Sequence, residues 1–156
     1  MLKKFGTLFA AAGLVVAGAL LSLQVHAKEG ALEKVKRPDS LGYQAFGEKA
    51  GLVRIMDDFM VGLLADSRTK PFFENADQAR VKAQLVDQFC FILGGPCEYK
   101  GAKMKPMHAN LGINREQFNA LVEQLQSAMD KNKVPFRAQN QLLTILAPMH
   151  RDIVTQ

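Results

Sequence analysis

Met104-Lys105-Pro106-Met107-His108-Ala109-Asn110-Leu111-Gly112-Ile113 is the segment around which the rest of this chain makes sense. The sequence holds three histidines. His26 falls in what reads as a cleaved N-terminal signal, and His150 stands beside Arg151 and Asp152, a setting that suits solvent. His108 is different: Met107 and Leu111 flank it, and a strong helix start follows a few residues later. Two readings are open for it. It is either an ordinary packed or surface residue, or a neutral imidazole that holds a metal-centred cofactor.

Working outward, the apolar spacing is helical on both sides. Downstream, Asn114 with Gln117 three residues on forms a capping box for a helix carrying Phe118, Leu121, Val122, Leu125 and Met129 on one face. Pro135 opens a final helix with Leu142, Leu143, Ile145, Leu146 and Ile153, which Pro148 should kink or fray. Upstream, Asn75 or Asp77 caps a helix that runs to Leu93 and stops at Gly94-Gly95-Pro96. Its apolar residues Val81, Leu85, Phe89 and Ile92 fall within about 80° of one another. Gln88 lies at the margin of that stripe, and Cys90 points to the opposite side. A further helix spans about Glu48 to Ala65, and Phe72-Phe73 falls in a short connector. Four substantial amphipathic helices and one short one, with no convincing strand, predict an all-α domain.

The first residues read differently. Met1-Leu2-Lys3-Lys4, an apolar run from Phe5 to Leu23 and Val25-His26-Ala27 describe a secretory signal peptide over residues 1–27, with an uncleaved membrane anchor as the alternative. Residues 28–39 form a charged leader, and residues 40–156 the folded domain. Removing 27 of 156 residues leaves 129, enough for one compact domain. Losing Lys3 and Lys4 lowers the formal charge from +5 to +3. The basic residues are scattered, so nucleic acid is not an expected partner. Cys90 and Cys97 are spaced for neither zinc nor covalent haem attachment. In an oxidising compartment they form a disulfide or remain two partly buried thiols. No phosphate-cradling glycine loop, nucleophile elbow or zinc-protease motif is present.

Read together, Asp57-Asp58-Phe59, Leu64-Ala65-Asp66, Pro71-Phe72-Phe73, Gly94-Gly95-Pro96 with Tyr99 and Gly101, Met104-Lys105, His108, Leu111-Gly112-Ile113, Val134-Pro135 and Ala147-Pro148 resemble the group I truncated haemoglobins. The resemblance covers about Ser40 to Val154. It implies a shortened globin fold, a two-over-two helical sandwich around non-covalent haem b. His108 matches the proximal iron ligand, whose other ring nitrogen would donate to a backbone carbonyl. Phe73 matches the aromatic on the haem face, and Val81 and Leu85 match the distal helix positions facing the sixth coordination site. Phe89 continues that wall, and Tyr99, Lys105 and Arg80 are candidates for contacting the propionates.

The departures bear on mechanism. Met60 stands where relatives usually have tyrosine, Leu85 where they often have glutamine, and Lys133 where a glycine commonly precedes Val-Pro. An apolar distal pocket of this kind predicts weak, fast-releasing oxygen binding, with carbon monoxide and nitric oxide less affected. The expected function is reversible binding of oxygen, nitric oxide or carbon monoxide in the periplasm or outside the cell. One alternative is a nitric-oxide-detoxifying or weakly peroxidatic haem enzyme. Another is an electron-transfer protein with Met60 as sixth ligand and an unidentified periplasmic redox partner.

Overall fold

The computed structural model describes residues 41–156; the expected signal peptide and charged leader lie outside the described residues. Among these residues every regular element is helical. Four long helices carry the domain: α2 (Glu48–Ala65), α4 (Gln78–Ile92), α6 (Arg115–Lys131) and α7 (Phe136–Leu146). Four short ones join them: α1 (Leu41–Ala45), α3 (Lys70–Phe73), α5 (Met104–His108) and α8 (His150–Ile153). The anticipated break at Pro148 takes the form of a single 3-10 turn, Ala147–Met149, between α7 and α8. Phe72 and Phe73 belong to α3 rather than to an irregular connector, because Pro71 in the first turn tolerates helix.

α2 is the spine. It packs against α4 on one side and α6 on the other, and α6 packs on α7. Its buried face consists of Leu52, Ile55, Met56, Phe59, Met60 and Leu63, closed from the other helices by Phe89, Ile92, Leu125, Met129 and Leu142. Burying a residue of this kind contributes on the order of 1.5–3 kcal/mol. Gly51 sits where a Cβ would collide with the carbonyl oxygen of Phe46, so only glycine lets α1 fold back against the start of α2. Lys82 reaches Asp57 and Lys131 reaches Asp58, each at 2.6 Å, tying α4 and α6 to the outer side of α2. Such exposed pairs add little stability.

The helix ends follow the sequence signals. Asp77 accepts from the backbone N–H of Arg80 at 3.0 Å, and Asn114 and Gln117 complete their capping box at 2.9 Å each way. At the other end of α4, Gly95 N–H donates to Cys90 O and Gly94 N–H to Phe91 O, a Schellman close with Gly94 at φ 81°. α6 ends the same way, through Val134 N–H to Met129 O and Lys133 N–H to Asp130 O. There the left-handed residue is Lys133, at φ 58°. Cys90 and Cys97 form a disulfide that pins the end of α4 to the segment leading toward α5. α5 rests on α8, and the N–H groups of Thr155 and Gln156 both donate to Ile113 O, at 2.9 and 3.3 Å.

A cavity between the histidine helix and α4

A cavity of about 1060 Å³ opens between α4 on one side and α5 with α6 on the other. That is at the top of the range for small-molecule and cofactor sites, roughly 300–1,000 Å³. Phe73 of α3, and Val81, Leu85 and Phe89 of α4, line it together with Tyr99 and His108. Arg80 also lines it, where the first turn of α4 meets solvent. Met107 and Leu111, on either side of the histidine, line the cavity while 59% and 47% exposed. Large apolar side chains left open around a hollow mark a surface that an apolar occupant would cover.

His108 is the last residue of α5 and is half-buried. Its Nδ1 lies 2.7 Å from the backbone oxygen of Met104, one turn earlier. A carbonyl can only accept, so Nδ1 carries the proton of this bond, and in the neutral tautomer Nε2 holds the ring's lone pair. Proline at position 106 suits so short a helix, since its missing N–H falls in a first turn that has no intrahelical partner to lose. Tyr99, upstream of α5, has its phenol raised above the ordinary value by burial.

Two expected site residues stand apart from the cavity. Phe59 lines it, but Met60, the next residue on α2, is turned by about 100° and packs into the core at 4% exposure. Lys105 is exposed and outside the lining, where its ammonium keeps its hydration. His150 also departs from expectation: it is half-buried, its ring edge-on to Phe118 at 5.0 Å between centroids.

The α4 side of the cavity is less apolar than Met60 and Leu85 suggested. Gln84 and Gln88 both line the cavity beside Val81 and Leu85. Gln88 lies seven residues beyond Val81, about 20° from it around the helix. It therefore reaches the cavity from the same side of α4. The signal was in the sequence, as a polar pair four residues apart on the face that carries Val81. Thr69 was also missed; it lines the cavity while its hydroxyl donates to Leu63 O at 2.7 Å.

Comparison with known proteins agrees with this architecture. The family model described as Bacterial-like globin matches residues 42–155. A group 1 truncated haemoglobin from Mycolicibacterium paratuberculosis is 32% identical over 113 residues, covering 72% of this chain and 83% of the relative. Among solved structures, the Fe(III) form of the Tetrahymena pyriformis truncated haemoglobin superposes with a TM-score of 0.69 at 26% identity, covering 74% and 98% of the two chains. The 2/2 haemoglobin from Synechococcus sp., in the cyanomet state and with covalently attached haem, gives 0.65 at 25%, covering 71% and 94%. The chain belongs to the bacterial-like globins, within the group 1 truncated haemoglobins.

Proposed function

We propose that the cavity holds haem b non-covalently and that the protein binds a diatomic gas reversibly. The observation that carries this reading is the 2.7 Å contact from His108 Nδ1 to Met104 O, which leaves Nε2 as a neutral, oriented donor for iron. The residues present fit the group. The hollow is large and mostly apolar, Phe73, Leu85 and Phe89 offer flat and aliphatic walls for a macrocycle, and Arg80 and Tyr99 stand at the lining to meet carboxylates. When bound, haem supplies an iron coordination position at which oxygen, nitric oxide or carbon monoxide is held. His108 would hold the iron through Nε2, and the apolar side chains of α4 would limit the access of bulk water to the group.

The relatives named haemoglobins support gas binding over turnover. The cavity wall on α4 presents amides and aliphatic groups but no histidine or carboxylate near Leu85 to serve peroxidase chemistry as acid and base. Met60 packs away from the cavity, which disfavours a six-coordinate electron-transfer centre built on it. The test is optical. Protein purified after expression with haem should be red with a strong Soret band, and His108→Ala should lose the pigment or change its axial coordination. A colourless protein, or a variant spectrally identical to its parent, would overturn the assignment.

We further propose that the protein is exported and works in the periplasm or beyond it. The basic start, apolar run and Val25-His26-Ala27 exit support this, as does the Cys90–Cys97 disulfide, a bond typical of oxidising compartments. Sequencing the N-terminus of protein from the periplasmic fraction should find Lys28 first. Recovery only from membranes with residues 1–27 intact would favour the anchored alternative.

A further inference from the structure

Three polar side chains are buried among the described residues: Thr69, Gln88 and Gln139. Two are satisfied. Thr69 donates to Leu63 O, and the Gln139 amide donates to Asp130 at 2.7 Å and to Val134 O at 2.9 Å. Gln88 is 7% exposed, lines the cavity, and has no hydrogen-bond partner among the described residues. A primary amide has two donor hydrogens and an acceptor oxygen, and burying them unpaired is costly. Buried polar groups of this kind are normally matched, so an orphan on a cavity wall points to a partner brought in by the occupant.

The position narrows what that partner is. Gln88 follows Leu85 by three residues on the same face of α4, so the amide adjoins the wall that faces His108 across the hollow. No cationic side chain lies beside it on the lining; Arg80, the guanidinium at the cavity, is more than two turns away along α4. A carboxylate would seek that guanidinium, whereas an amide suits a small, partly charged acceptor. We infer that Gln88 donates a hydrogen bond to the polarised gas ligand and selects dioxygen over carbon monoxide. The proposal rests on the haem reading above. It makes Gln88 a specificity-determining residue supplied by α4, in place of a hydroxyl from α2, where Met60 stands.

The test compares wild type with Gln88→Leu and Gln88→Met, both of similar volume and without donors. A Soret band in the wild-type protein settles haem binding independently, so failure there sinks the cofactor reading rather than this one. With the pigment present, dioxygen release from both variants should accelerate by roughly tenfold or more, the change expected for a hydrogen bond to a charged acceptor. Carbon monoxide release should stay within about twofold, and the infrared stretch of bound carbon monoxide should move to higher frequency. The haem-free Gln88→Leu protein should melt no lower than wild type, because an unpaired amide has been removed. Unchanged oxygen release and an unchanged stretch would overturn the proposal. So would weakened haem retention with unaltered gas kinetics, which would place the amide against the macrocycle instead.

Discussion

His108 and Met104 are joined by a hydrogen bond of 2.7 Å that runs back along α5 from imidazole Nδ1 to a main-chain oxygen. The acceptor is backbone, so it cannot be lost by substitution of a side chain; only the geometry of the short helix can change it. His108→Gly should retain the fold and bind haem more weakly. The loss should exceed the roughly 10- to 100-fold typical of removing a ligand's outer partner. Added imidazole should restore the wild-type spectrum in a titration. No recovery at saturating imidazole would mean that the histidine is not the axial donor.

The disulfide closes a ring of eight residues, Cys90 to Cys97. A chain-entropy argument for a loop of that size gives a contribution of about 2.5 kcal/mol. Denaturant titration of the Cys90→Ala/Cys97→Ala double variant should show that loss, and thiol reductant should bring wild type to the same midpoint. A reductant-insensitive midpoint would show that the bond contributes nothing.

Lys133 occupies the left-handed turn that closes α6, at φ 58°. The corresponding turn after α4 uses Gly94. A side chain in this conformation costs roughly 1–2 kcal/mol. Lys133→Gly should therefore raise the melting midpoint, with a gain in unfolding free energy of about 1 kcal/mol once the added freedom of the unfolded chain is offset. Lys133→Val should lower it, because a β-branched side chain tolerates the turn least.

Asp66 ends α2, and its carboxylate accepts from Arg68 through two side-chain bonds at 2.7 and 3.0 Å and from the backbone N–H at 2.9 Å. Gln124 of α6 adds another at 3.1 Å. The Arg68 bonds hold the carboxyl well below its usual range. Because the folded value is depressed, the stabilisation is fully present above the unfolded value of about 3.9 and drains away as pH falls through the folded one. Acid titration of unfolding should show that loss in wild type below about pH 4. In Asp66→Asn the slope in that window should be shallower. Equal slopes would mean that other carboxylates dominate.

The long helices were readable because their apolar spacing and end signals agree: Asp77, Asn114 with Gln117, Gly94 and Pro135 all act where expected. The role proposed for the histidine rests on the order of many weak motifs, since one imidazole at this spacing is equally at home in a core. Two short helices escaped notice. α1 and α3 are five and four residues long, too short to show a period. The orientation of Met60 was also hidden. α2 is buried on both sides, by α4 and by α6, so its broad apolar face does not say which residue meets the cavity. Gln88 was open for the opposite reason: a polar residue at the margin of an apolar stripe is either partnered or reaching solvent, and only the packing places it buried on the cavity wall.

The two bonds from Thr155 and Gln156 to the Ile113 carbonyl fasten the tail beneath the peptide that leaves the histidine turn. Losing that pair of bonds would loosen the Ile113 peptide, five residues past the imidazole and itself part of the rim of the hollow. Any alteration at Gln156 is therefore felt at the peptide that follows the histidine turn.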